Sequence, residues 1–224
     1  MAALLLGTAI GFDSWGFMMP QLNPMDSLLL INKKNKAPAI PVALIQPDVD
    51  PVEERYRVNT YMRPDAAAAL EELFAGAEKD GIKLYALSGF RSYATQKAIF
   101  ARKRQERGEK IANKSSAKAG YSEHQSGLAM DFEGQSMLGK GLVAEIGESA
   151  EGIWVAEHCW EYGFILRYQK DKTDITGYIY EPWHVRYVGK KASKEIHDLG
   201  DITFEEYLLH LRAERIREMK GEAQ

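Results

Sequence analysis

The stretch Ser122-Glu-His-Gln-Ser-Gly-Leu-Ala-Met-Asp-Phe132 places a histidine and an aspartate within a short apolar run rich in small residues. If Gly127–Phe132 is a strand, side chains alternate between its faces. Leu128, Met130 and Phe132 then share one face, and Gly127, Ala129 and Asp131 share the other. The first face enters a core. The second sets a carboxylate beside two positions with almost no side chain, which predicts open space next to Asp131 for a metal or substrate.

His124 precedes this strand in a loop able to fold back over that open face. A second histidine, His184, opens the strand-like run Glu181-Pro-Trp-His-Val-Arg-Tyr-Val188. His124, Asp131 and His184 offer two nitrogens and one oxygen, a donor set that suits catalytic zinc with a fourth position open. Taken alone, a neighbouring His and Asp are more often a hydrogen-bonded structural pair. Glu181 strengthens the chemical reading. Pro182 fixes its own φ and biases Glu181 to an extended backbone, so a stiff turn holds a carboxylate near the proposed ligands. A carboxylate there that does not bind metal is suited to general-base work.

Working outward, Pro64 suits a first helical position, and Ala66, Leu70, Leu73, Phe74 and Ala77 repeat at the spacing of one buried helix face ending at Gly81. Residues 82–89 alternate as a strand. A second helix is expected from Ser92 to Gly108. Residues 149–163 read as a helix with Ile153, Ala156, Trp160 and Gly163 on related faces. Residues 164–168 and 178–189 read as strands around a polar loop, and Thr203 with Glu206 forms a capping box opening a last helix. Early prolines punctuate residues 1–63, which read as an extended lead-in with one or two strands. The mixed order lacks a Gly-rich phosphate loop. It predicts one α+β domain, a small central antiparallel sheet flanked by helices, over residues 26–220.

The segment Ser88–Gln96 adds a cation. With Ser92 as N-cap, Arg91 precedes the cap and Gln96 is the fourth helical residue, two positions that meet in a hydrophobic staple. Here the pair is polar, and at a helix N-terminus it suits a carboxylate or a developing oxyanion; the bland alternative is a solvated arginine.

Composition narrows the function classes. Of 224 residues, 29 are Lys or Arg and 32 Asp or Glu, a net charge of −3 that argues against nucleic acid as partner. The lone Cys159 excludes an internal disulfide and reads as a packed core residue. The apolar opening, within residues 1–25, lacks the basic start of an export signal and reads as a clipped signal or anchor, or as an ordinary packed terminus. The basic run 101–110 interleaves acids and reads as a wet helix face able to lie against an anionic cell-wall polymer.

Taken together, the segments 88–96, 122–132 and 180–189 resemble the signatures of VanY-type D-alanyl-D-alanine carboxypeptidases, zinc peptidases of bacterial cell-wall metabolism. The resemblance spans about residues 26–200 and includes the patterns S-x-H-x-x-G-x-A-x-D and E-x-W-H. It implies one zinc ion on His124, Asp131 and His184, and Glu181 as general base. It also implies Arg91 on the oxyanion or the substrate carboxylate, with Gln96, Ser122 and Trp183 lining the substrate site. The expected activity is removal of the C-terminal D-alanine from peptidoglycan stem peptides by an extracytoplasmic, monomeric enzyme of the cell envelope, with a membrane tether through an N-terminal anchor. Trimming of tetrapeptide stems by L,D-cleavage, endopeptidase action and a non-catalytic cell-wall-binding module are the alternatives.

Overall fold

The computed structural model describes residues 11–12, 18–19, 26–37 and 43–221. The expected export signal or anchor falls on residues 1–25, outside the described residues except for a two-residue antiparallel ladder joining Gly11–Phe12 to Met18–Met19. Among the described residues no helix is long and apolar enough to cross a membrane.

Four strands form one antiparallel sheet: β1 (Leu84–Ser88), β2 (Ala129–Gly134), β3 (Phe164–Tyr168) and β4 (Glu181–Tyr187), in the order β1-β2-β4-β3. The two central strands, β2 and β4, carry the motif residues. Their register pairs Asp131 with His184 directly, while β1 pairs Ser88 with Asp131. Opposed residues in such a ladder hold their Cβ atoms about 5 Å apart. Ser88, Asp131 and His184 therefore form a row across three strands.

Helix α1 (Pro64–Lys79) starts on proline and buries Ala66, Leu70, Leu73 and Ala77. These pack on Met130 and Phe132, the expected inward face of β2, within the main core. Helix α2 (Tyr93–Arg107) is capped by Ser92, whose side chain accepts from the Thr95 amide, and it stops at Gly108, which has a positive φ of 77°. A short α3 (Glu109–Ser115) follows. Beyond the sheet, α6 (Lys190–Leu199) and α7 (Phe204–Met219) enclose a second cluster around Ile196, Phe204 and Tyr207, and the Thr203 and Glu206 capping box forms as expected.

Three expectations are corrected. Helix α4 covers only Ala150–His158, with a 3-10 turn at Cys159–Tyr162, and its buried face is Trp154, Val155 and Cys159 while Ile153 is 45% exposed. The cause lies at Gly152: a Cβ there would lie 1.8 Å from the Ile146 carbonyl, so that side of the helix presses inward and Ile153 turns out. The loop at 169–178 contains a helical turn, α5 (Thr173–Thr176). The lead-in is irregular beyond its two-residue ladder: residues 26–37 form a strap with no strand, residues 38–42 lie outside the described residues, and Ile45 makes an isolated bridge to Met62.

Candidate metal centre and substrate cavity

The strand β2 turns its core face to α1 as its alternation requires, and Asp131 points the other way. The space next to it is not where the small residues suggested. Gly127 sits in a left-handed turn, φ 72°, and a Cβ on it would meet Leu44 Cδ2 at 2.9 Å and the Arg63 amide nitrogen at 3.1 Å. Protein fills that side. The open volume lies instead over His124, Asp131, Glu181 and His184, in a cavity that Arg91, Gln96, Ser122 and Trp183 also line. Every residue expected in the metal or substrate site thus lines one cavity.

His124 arrives on the 3-10 turn Glu123–Ser126, which Gly127 terminates. Its Nδ1 lies 2.7 Å from the Gly89 carbonyl oxygen, an atom that only accepts, so Nδ1 carries the proton and Nε2 presents its lone pair. That Nε2 is 3.3 Å from Asp131 Oδ1. His184 is oriented the opposite way. Its Nε2 donates to Glu123 Oε2 at 3.2 Å, leaving Nδ1 toward Asp131 Oδ1 at 3.0 Å. The three donor atoms lie within 4.8 Å of one another, and the two imidazoles meet edge to face.

This arrangement fits a metal. Two imidazole lone pairs and a carboxylate oxygen converge on one point, and electrostatics demands a cation there. Both outer nitrogens are held by acceptors that fix the tautomers, as metal-binding histidines require. Without metal, a proton fills the demand. Burial opposes charge on His184, yet its bonds to Asp131 and Glu123 outweigh this and raise its pKa to about 9. Burial and then the Arg91 charge lower His124 to about 4, which keeps it neutral. Burial likewise opposes the Asp131 anion, but the Arg91 charge and the hydrogen bond from protonated His184 hold its pKa well below the usual range.

Glu181 sits at the mouth of β4, where the ladder with β3 slips: Leu166 pairs with Val185 but Tyr168 pairs with Glu181. The irregularity surrounds Pro182, which has no N–H for the ladder. It lets Glu181 and His184, three residues apart, line the same cavity. Burial raises the Glu181 pKa to about 7, against a value of 4.5 for the free side chain.

The expected Arg91–Gln96 pairing does not form. Arg91 Nη2 donates to Asp131 Oδ2, and Nε donates to Ser88 Oγ at 2.9 Å. Gln96 Nε2 donates to the Ala117 carbonyl at 2.8 Å. The two side chains meet different partners because Ser88, displaced by the β1 bulge, stands beside Asp131 and captures the guanidinium.

Sequence reasoning passed over the layer behind the ligands. Glu123 is 2% exposed and accepts from Arg167 Nε at 2.8 Å and Arg186 Nη1 at 2.7 Å, besides His184. Arg167 also grips Glu205 of α7 through both terminal nitrogens. Arg186 reaches the carbonyls of Ser27 and Leu29 in the strap. Burial would raise the Glu123 pKa, but Arg186 and Arg167 overcome it and keep the carboxylate ionised. The signal was present in the arginines inside two strands, 164–168 and 181–187, whose other residues are mostly apolar or in the proposed site. His158, His197 and His210 stay outside the site: His158 bonds Glu161 and stacks on Trp154, His197 stacks on Trp160, and His210 pairs with Glu214.

The sequence model of the family described as VanY, D-alanyl-D-alanine carboxypeptidase, matches residues 59–190, more than half of the chain. This chain belongs to the VanY family. Among curated relatives, the protein named "Putative carboxypeptidase YodJ" of Bacillus subtilis is 47% identical over 187 residues, 83% of this chain and 68% of that one. A D-alanyl-D-alanine carboxypeptidase of Enterococcus faecium is 38% identical over 70% of this chain, which spans 47% of that protein's length. Among solved structures, the LdcB LD-carboxypeptidase superposes with a TM-score of 0.77 at 44% identity, covering 90% of this chain and 93% of that one. A VanY D,D-pentapeptidase from a VanB-type resistance cassette, solved with Zn(II), gives 0.68 at 33% identity over 81% of this chain and 98% of that one. The VanY fold is thus shared with zinc-bound and with both D,D- and L,D-cleaving relatives.

Proposed function

We propose that this VanY-family protein is a zinc carboxypeptidase that releases the C-terminal D-alanine of peptidoglycan stem peptides, with tetrapeptide stems as its preferred substrate. One observation carries the reading: His124 Nε2, His184 Nδ1 and an Asp131 oxygen converge in the cavity that Glu181 also lines. Lewis-acid polarisation of the scissile carbonyl and activation of water are the chemistry that zinc, held by His124, Asp131 and His184, supplies when bound.

The chain's own residues do the rest. Glu181 accepts a proton from the attacking water and returns it to the leaving amine; a pKa near neutrality suits both directions. A cation bound nearby lowers that value and favours the base form. Arg91 holds Asp131 Oδ2, so Oδ1 stays turned to the histidines, and its charge also favours an oxyanion in the cavity. Trp183, Ser122 and Gln96 shape the walls against which the peptide rests.

The preference for tetrapeptides, an L,D-cleavage, draws support from the likeness to LdcB. A second reading, D,D-cleavage of pentapeptides, draws support from the family description and from the Enterococcus faecium relative. The cell envelope is the location this reading carries with it, because the substrate polymer lies outside the cytoplasmic membrane, and the protein is expected to act as a monomer, with or without a tether.

Incubating the zinc-loaded chain with tetrapeptide and pentapeptide muropeptides and following products by mass spectrometry tests both readings. Alanine release from the tetrapeptide supports L,D-cleavage; release from the pentapeptide alone replaces it with D,D-cleavage. Internal cleavage without alanine release rejects the carboxypeptidase assignment, and no cleavage at all favours a binding module.

A further inference from the structure

A carboxypeptidase must hold a free terminal carboxylate, and Arg91, the cation expected to do so, is committed to Asp131 and Ser88. Helix α2 supplies another. Gln96, Lys103 and Arg107 recur at intervals of seven and four residues, which puts them within about 20° to 40° of one another around the helix. All three line the cavity that contains Glu181. The inward stripe of α2 is therefore polar and cationic where an ordinary amphipathic helix would be apolar.

Two details mark the stripe as built to receive a ligand. Gln96 is 1% exposed, and its Oε1 is buried without a hydrogen-bond partner. Such an orphan acceptor costs stability unless something donates to it. Lys103 is part-buried, and its Nζ donates to the Ser115 carbonyl at 2.8 Å, one bond for an ammonium with three donors. Desolvation lowers its pKa, and the attractions it feels, from Glu181 and Asp131, act through space without a hydrogen bond.

We propose that Lys103 binds the free terminal carboxylate of the substrate, with Gln96 Oε1 accepting from a neighbouring substrate N–H. The inference rests on the carboxypeptidase reading and assigns the residue that makes the enzyme demand a free terminus. Ser115 fixes the ammonium from behind, through the segment 115–117 that also receives the Gln96 amide.

The test compares two substrates on each protein: a tetrapeptide stem ending in D-alanine and the same peptide ending in D-alanine amide. The wild-type zinc enzyme is expected to prefer the acid. Lys103→Met should lower kcat/KM on the acid on the order of 10²-fold, the scale of a lost charge-assisted hydrogen bond, and leave the amide rate unchanged. Lys103→Arg should restore most of the preference. Because the acid-to-amide ratio is taken within one sample, misfolding cancels. An equal fall on both substrates would make Lys103 a strut for residues 115–117 and overturn the proposal, as would an unchanged ratio. If the wild type cleaves neither peptide, the carboxypeptidase reading itself fails first, an outcome separate from any change in the ratio.

Discussion

Glu123 Oε2 accepts the Nε2 proton of His184 at 3.2 Å, and that bond decides which nitrogen of His184 faces Asp131. On the proposed zinc reading, the residue between Ser122 and His124 is thus a positioning residue for the candidate metal centre. Glu123→Gln keeps the shape but removes the charge that Arg167 and Arg186 share. It is expected to weaken zinc binding about 10- to 100-fold, measured by competition with a chromophoric chelator. Glu123→Ala leaves the buried Arg186 guanidinium without an anionic partner and Arg167 with Glu205 alone, and should cost about 3–5 kcal/mol in denaturant unfolding. Unchanged zinc affinity in the Gln variant would show that His184 needs no such partner.

Glu181→Gln separates chemistry from metal binding. Turnover of the stem peptide should fall by roughly 10²- to 10⁴-fold, the contribution of a general base. Zinc content by elemental analysis should stay at the wild-type level. Retained turnover would remove Glu181 from the proton-transfer role.

The same side chain predicts a pH effect in the metal-free protein. Its folded pKa, about 7, stands above the free value of 4.5. The native state therefore favours the protonated form, and the contribution to stability is fully present below pH 4.5 and lost as pH rises through 7. At pH 8 the buried carboxylate disfavours folding by roughly 3 kcal/mol relative to pH 4. Glu181→Gln should unfold like the wild type near pH 4 and at higher denaturant than the wild type near pH 8. Parallel pH profiles for the two proteins would contradict this account.

Gly89 tests the orientation of the other imidazole. A Cβ on Gly89 would lie 2.4 Å from the Tyr61 carbonyl oxygen and 3.0 Å from that of Thr60, both backbone atoms. Gly89→Ala should therefore displace the carbonyl that receives His124 Nδ1. A stability loss of about 1–3 kcal/mol is expected together with weaker zinc binding. A loss of stability with zinc affinity intact would assign Gly89 to packing alone.

His184→Ala should abolish stoichiometric zinc, while His158→Ala, outside the cavity, should leave zinc and turnover unaltered. Elemental analysis of both variants after dialysis against excess zinc decides the matter.

The strand and helix faces were legible because they depend on local periodicity. Alternation in residues 128–132 put Asp131 opposite the core, and Thr203 with Glu206 marked a helix start by side-chain chemistry confined to four residues. The missed features depend on contacts that periodicity does not register, most of them between distant residues. Glu123 reads as an exposed loop acid until Arg167 and Arg186, 44 and 63 residues later, come to it through β3 and β4. Lys103 reads as one cation in a wet helix until segment 115–117 folds across it. The buried side of α4 was misjudged because close packing at Gly152, which periodicity cannot register, sets the helix rotation.

The strap carbonyls that Arg186 engages draw a practical boundary for anyone trimming the gene. A fragment cut to the family match at 59–190 would lack Ser27, Leu29 and Glu205 at one stroke, stripping counter-groups from both guanidiniums behind His184. The span of the family model is thus smaller than the piece able to keep the cluster around His184 in shape.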